Sequence, residues 1–466
     1  MFSRKWWIAT GGVALLFFGG LGIYLFTSES SPSRTQSSKK DSNRVFENSF
    51  ITSQTDKVED EPSALFNDPA ISQAWGLKKS DAARAWSITK GSKDIVVAII
   101  DTGIDENHED LHDNLWMNPG ETGKDAQGRD KSNNGVDDDG NGFIDDVHGW
   151  NFVSNNNKLD DNHGHGTHIA GIIGAEAGNG KGIIGISPEV SLMVLKYYDP
   201  KVPGADNLKN TVASIKYAVK MGAKIINYSG GGVEFSQEEH DAIQEAEKKG
   251  ILFVAAAGNE RSNSDQHHYY PADYKLKNII SVTAIDPSTQ VLSSSNYGVD
   301  TVDIAAPGQN ILSCLPGNAY GYMTGTSQAT AFVTGAAALV MAHKQSFQAE
   351  DVKKYILSTG DAQTQLASKT RTSRQLNLYK ALTILDQGIS ATGVAAANSQ
   401  NIDKKMWTSD GGKNNAADPN DKNSQAEDGL DPAASAMSNF GKSLIDAMGT
   451  KTKRTRVGTQ QNSEGF

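Results

Sequence analysis

Cys314 is the only cysteine in 466 residues, which excludes an internal disulfide, a cysteine-built zinc site and a C-x-x-C redox pair. Positive charge is also scarce. The 44 Lys and Arg stand against 55 Asp and Glu, for a net charge of −11. A general nucleic-acid binder needs concentrated basic charge to displace counterions from phosphates, and no basic stripe supplies it here. Internal repeats are absent. The length permits one large α/β enzyme without requiring one.

Long apolar runs are missing except at one place, residues 8–26, which carry no charge and follow Arg4 and Lys5. At 1.5 Å per residue this run spans roughly 28 Å, close to the thickness of a bilayer core. It reads as a signal anchor, with a secretory signal peptide as the alternative and a buried soluble helix as a third reading. No small-x-small cleavage site stands out between Thr27 and Ser31, which favours the anchor. Arg34, Lys39 and Lys40 beyond the run offset Arg4 and Lys5 before it, so basic charge sets no orientation.

Four parts follow from composition: an anchor or signal sequence over 1–26, a polar linker over 27–64, a catalytic domain over 65–389 and a low-complexity tail over 390–466. The tail is expected to be disordered apart from one short helix near 433–448, and it closes with a basic cluster at 451–456. Between linker and tail, short β-branched runs alternate with longer amphipathic ones. That pattern predicts an α/β fold, a central, mostly parallel sheet flanked by helices on both faces. Strands are expected at 95–100, 191–196, 224–227, 251–256 and 279–284, and helices at 207–221, 236–249, 328–344 and 348–358. Ser236, followed three positions later by Glu239, has the form of a capping box.

The run DIVVAIIDTG is apolar on both faces, as an interior parallel strand requires, and it delivers Asp101 just past its C-terminal end. Catalytic groups of open α/β sheets gather at that edge. HGHGTHIAGIIGA sets His165 at a helix start, and ILFVAAAGNE places Asn259 just beyond another interior strand. GYMTGTSQATAFVTGAAALVMA puts Ser327 at the N-terminus of a very apolar helix, where unpaired N–H groups face any developing negative charge. Singly these are ordinary features; together they supply the nucleophile, base, orienting carboxylate and oxyanion donor of acyl transfer. His163 and His168 also invite a metal-hydrolase reading, but no second ligand cluster accompanies them. Otherwise His163 belongs to the rim, and His168 packs or hydrogen-bonds within its own helix.

DTGID, HGTHIAG, AAAGNE and GTSQATAFVTG resemble the four signature segments of the subtilase family, in that family's order, and the similarity runs from about residue 67 to 382. The resemblance implies a subtilisin-like serine endopeptidase with one catalytic domain, acting on polypeptides bound in extended form. Ser327 would be the nucleophile, His165 the base and Asp101 its orienting partner, with Asn259 and the Ser327 N–H holding the oxyanion. Ser229, Gly230 and Gly231 would form one substrate edge and 255–258, with Ala256 and Gly258, the other. A catalytically inactive peptide-binding module is the alternative. The family further implies an extracytoplasmic domain, membrane-tethered by the apolar run or secreted.

In NNGVDDDGNGFIDDVHGWNF, Asp137, Asp139, Asn141, Gly142 and Asp145 stand at positions 1, 3, 5, 6 and 9 of an EF-hand-like loop. Hard oxygen ligands at alternate positions suit calcium; a solvated acidic loop is the alternative. His148 occupies position 12 instead of Glu, so the last ligand must come from elsewhere. By resemblance to secreted subtilisins, Asp110 and Asn179 would serve a second calcium site, against which Lys181 would add repulsion. Gln328, Ala331 and Gly230 depart from the Met, Pro and bulky apolar residue common in the family. The stretch between Phe26 and Asn67 is too short and too polar for the usual inhibitory pro-domain, so folding is expected to proceed unaided or with a helper elsewhere.

Overall fold

The computed structural model describes residues 65–387. The readings of the 1–26 segment, the 27–64 linker and the tail from 390 onward lie outside those residues. Among the described residues, no helix is long and apolar enough to cross a membrane.

The strands are β1 (Gly91–Asp101), β2 (Gly149–Asn151), β3 (Glu189–Lys196), β4 (Ile225–Tyr228), β5 (Leu252–Ala256), β6 (Ile279–Ile285), β7 (Ile304–Pro307), β8 (Ile311–Leu315), β9 (Ala319–Met323), β10 (Asp361–Ala362) and β11 (Arg374–Gln375). Nine of them form one sheet in the order β10-β11-β7-β6-β5-β4-β1-β3-β2, and β8 and β9 make a separate antiparallel hairpin. Within the large sheet every pairing is parallel except β10 with β11. The registers Asp101↔Lys196, Ile100↔Tyr228 and Tyr228↔Ala255 bring the C-terminal ends of four central strands to one edge.

The helices are α1 (Trp75–Lys79), α2 (Ala82–Trp86), α3 (His165–Gly174), α4 (Asn207–Lys220), α5 (Gln237–Lys248), α6 (Thr326–His343), α7 (Ala349–Thr359) and α8 (Leu378–Gln387). Strand side chains alternate between faces, and so the sheet needs cover on both. Val97, Ile99, Val194, Ile225 and Val254 pack toward α3 and α6, while Ala98, Ile100, Leu195, Ile226 and Phe253 pack toward α4 and α5. Every residue of α6 from Thr326 to Met341 is buried. A helix apolar on all sides is stable only in such surroundings, and truncating its Phe332 to Ala would cost about 3–5 kcal/mol.

Each strand and helix expected between 95 and 358 is present, with ends displaced by a few residues; the short helix expected near 433–448 lies outside the described residues. The strands β2, β7, β10 and β11, the β8–β9 hairpin and the helices α1, α2 and α8 were not anticipated; β2, β10 and β11 are too short to show a period. Ser236 does cap α5, accepting from the Glu239 N–H at 3.3 Å, but the Glu239 carboxylate instead accepts from the Tyr274 hydroxyl at 2.9 Å. Burial first of all pushes the Glu239 carboxyl up, to about 7. The reciprocal box occurs at α7, between Gln348 and Asp351.

Candidate active site

Asp101 ends β1, and His165 opens α3 after Gly164, whose φ of 92° is a left-handed turn suited to glycine. The two elements meet closely: a Cβ on Gly166 would lie 2.1 Å from the Gly103 carbonyl oxygen. His165 Nδ1 therefore reaches Asp101 and donates to its Oδ1 at 2.7 Å, with the two residues only 4% and 2% exposed. Burial by itself pushes the His165 imidazole down. The charge and hydrogen bond of Asp101, with Asp161 behind them, outweigh that and hold the ring above its ordinary value.

Ser327 is the second residue of α6, 4% exposed, and its hydroxyl donates to the Ser229 carbonyl at 3.3 Å. Asn259 follows β5. Its Oδ1 accepts from the Thr326 N–H at 3.1 Å and the Thr326 hydroxyl at 3.2 Å, which fixes the amide's orientation and leaves its NH₂ to donate. Gln328 is fully buried, and among the described residues neither end of its amide has a hydrogen-bond partner. Ala331 lies inside an unbroken α6, so the helix keeps its course without the family's proline.

Asp161 escaped the sequence reading. Its carboxylate accepts from the Thr102 hydroxyl (2.8 Å), the Gly164 N–H (2.7 Å) and the Thr167 N–H (2.9 Å), tying the end of β1 to the first turn of α3. Burial favours its neutral form, but these bonds prevail and hold its pKa below the usual range. His163 is exposed at the rim, with its ring 6.3 Å from that of His165. His168 does not bond within its helix. Its Nε2 donates instead to the Ile311 and Gly321 carbonyls of the β8–β9 hairpin, and burial, then the neighbouring His165, push it down to about 3. Cys314 is buried in β8, where burial pushes its thiol up.

The acidic loop closes differently from an EF-hand. Among the described residues one group of carboxylates converges as a cation site would need: Glu121, Asp137 and Asp139, whose oxygens lie within 4.8 Å of one another. Glu121 Oε1 accepts from the Asp138 N–H at 2.8 Å, while Oε2 is buried without a hydrogen-bond partner. Burial, then the surrounding carboxylates, raise its pKa against that one bond. Asn141 turns its NH₂ toward Asp139 and Asp146 and its oxygen toward the Phe143 N–H, and Asp145, at φ 53°, accepts from the Gly135 N–H. Asp145 is not among the carboxylates of the Glu121 group. Asp110 and Asn179 do meet, in a 2.9 Å hydrogen bond, and Asp110 Oδ2 accepts from the Ile183 N–H and the Tyr320 hydroxyl. Lys181 is drawn off toward Glu109 at 3.7 Å.

The model of the subtilase family matches residues 92–377. Thermitase of Thermoactinomyces vulgaris is 33% identical over 317 residues, covering 68% of this chain and 98% of its own. A thermophilic serine proteinase of Bacillus sp. (strain AK1) is 32% identical over 330 residues, 69% of this chain and 72% of that one. The major intracellular serine protease of Bacillus subtilis (strain 168) is 35% identical over 276 residues, 59% and 76% of the two chains. With its parallel sheet and matched family segments, the chain belongs to the subtilase family and is a serine endopeptidase.

Proposed function

We propose that the enzyme cuts polypeptides through Ser327, His165 and Asp101, with the Asn259 amide and the Ser327 N–H as oxyanion donors. The observation that carries this reading is the buried 2.7 Å pair of His165 and Asp101 at the sheet edge where α6 presents Ser327. Asp101 occupies Nδ1, which leaves Nε2 to take the Ser327 proton as Oγ attacks the substrate carbonyl. The oxyanion that forms is met by the Asn259 NH₂, whose carbonyl end Thr326 already holds, so little reorganisation accompanies the reaction. The proton then passes to the departing amine, and water, activated by the same imidazole, releases the acyl group. Ser229, Gly230 and Gly231 together with Ala256 and Gly258 line the extended substrate. A fluorophosphonate probe should label the wild type and not Ser327→Ala; casein hydrolysis by that variant would sink the mechanism.

Calcium fits the chemistry of Glu121, Asp137 and Asp139. An unpartnered buried carboxylate oxygen beside two further carboxylates is a hard-oxygen donor set. Its contribution is structural, removing the repulsion among these groups. The same reading places a second calcium at Asp110 and Asn179, where Asp68 lies within the electrostatic reach of Asp110. The apolar run 8–26 anchors the chain, with its catalytic domain outside the cytoplasm. Membrane fractionation, and digestion of intact cells by added protease, distinguish this arrangement from secretion and from the location named for the Bacillus subtilis relative.

A further inference from the structure

The last paired positions of β4 and β5 are Tyr228 and Ala255, after which the two chains run on as 229–231 and 256–258. Ser327 Oγ sits 3.3 Å from the Ser229 carbonyl on the first of these edges, and Asn259 directly follows Gly258 on the second. A carbonyl presented to both Ser327 and Asn259 thus belongs to a residue lying between the two edges. Side chains of an extended peptide alternate in direction, and the one on the attacked residue enters the slot separating 229–231 from 256–258.

That slot already holds a ring. A Cβ on Gly231 would lie 2.5 Å from Tyr269 Cε1 and 2.9 Å from its Cζ, and a Cβ on Gly258 would lie 3.0 Å from Tyr269 Cδ1. Tyr269 therefore touches both edges. It is 6% exposed, and its backbone is pinned on either side. The Tyr269 N–H donates to Asp273 at 2.8 Å, while Tyr270 and Gly232 exchange backbone hydrogen bonds of 2.7 and 2.8 Å. Gly230 follows the same pattern, since a Cβ there would meet the Tyr197 hydroxyl at 2.5 Å and the Tyr228 hydroxyl at 2.8 Å. Glycines in the edges and tyrosines behind them are two halves of one packing arrangement. The departure at Gly230 is thus matched by rings that take up the space.

We infer that Tyr269 is a specificity-determining residue which fills the slot for the attacked residue's side chain, so the enzyme cuts after glycine, alanine and similarly small residues. The inference rests on the substrate edges assigned under the proposed function. An aromatic or long aliphatic side chain would have to expel a buried ring from between two fixed backbones. A single methylene in a hydrophobic pocket discriminates by 10- to 200-fold, so alanine should be preferred to phenylalanine by about 100-fold or more in kcat/KM.

The test is a peptide series varied only at the residue preceding the cut, with Gly, Ala, Leu and Phe. The wild type should prefer Gly and Ala. Tyr269→Ala should reverse the order in favour of Leu and Phe, and Tyr269→Phe should keep the wild-type order, because the ring and not the hydroxyl fills the slot. Titration with the fluorophosphonate counts competent sites in each variant, so the order of substrates is read on folded enzyme. Should Tyr269→Ala fail to fold, the wild-type order decides alone. Cleavage after Phe as fast as after Ala by the wild type, or an unchanged order in labelled Tyr269→Ala, overturns the inference. A wild type that the probe does not label overturns the nucleophile assignment beneath it.

Discussion

The Thr102 hydroxyl donates to Asp161 at 2.8 Å, and through that bond the residue after Asp101 holds the turn that leads into His165. Asp161 also raises the His165 pKa, after Asp101. It is a positioning residue whose loss should be read in pH dependence as well as in rate.

Asp161→Ala is therefore expected to lower kcat/KM by up to about 100-fold through misplacement of the base, and to shift the acid limb of its pH profile downward. The sign follows from the base being active only when neutral. Activity falls as the pH drops through the His165 pKa, which the charge and hydrogen bond of Asp101, with Asp161 behind them, hold above its ordinary value against burial. Removing a negative charge that favours imidazolium lowers it. A rate loss with an unmoved acid limb would mean that Asp161 serves only the fold.

Asn259→Ala should reduce kcat by about 100- to 1,000-fold and change KM much less, since its NH₂ meets a charge that develops only near the transition state. Equal effects on kcat and KM would place Asn259 in ground-state binding.

Calcium should raise the melting temperature and a chelator should lower it, with a stabilisation of about 2.7 kcal/mol when free calcium stands at a hundred times its Kd. Glu121→Gln and Asp139→Ala should each remove most of that dependence and leave fluorophosphonate labelling intact. Identical wild-type melting curves in millimolar calcium and in excess chelator would identify the group as an acidic turn without a metal.

Gln328→Met should stabilise the fold by about 1 kcal/mol or more, because an unpaired buried amide carries a desolvation cost of about 1–3 kcal/mol per group that a thioether of similar shape avoids. The same change should make activity sensitive to peroxide, through sulfoxide formation beside the nucleophile. Denaturant unfolding and residual activity after peroxide treatment check the two halves separately.

Asp101, His165, Asn259 and Ser327 were legible in the sequence because each adjoins the end of an interior strand or the start of an apolar helix, and such edges of a parallel sheet converge. Glu121, Asp161 and Tyr269 were not. Each lies outside the strands and longer helices, where no period says which way a side chain points, and the role proposed for each depends on a partner distant in sequence or on a turn. The EF-hand-like spacing drew attention to Asp137 and Asp139, which stand in one group with Glu121, whereas Glu121, sixteen positions before Asp137, belongs to no such spacing. Gly230 was visible as an oddity, and only the tyrosines behind it supply the reason.

The His168 imidazole bridges the two strands of the β8–β9 hairpin, and the Ser313 hydroxyl returns a bond to the His168 carbonyl at 2.7 Å. That hairpin ends at Met323, three residues before α6 begins. His165 on α3 and Ser327 on α6, the proposed base and nucleophile, consequently hang from a common bracket. Their separation is governed by a short span of hydrogen-bonded backbone, so breathing at the outer strands of the sheet would carry both side chains together and preserve their alignment.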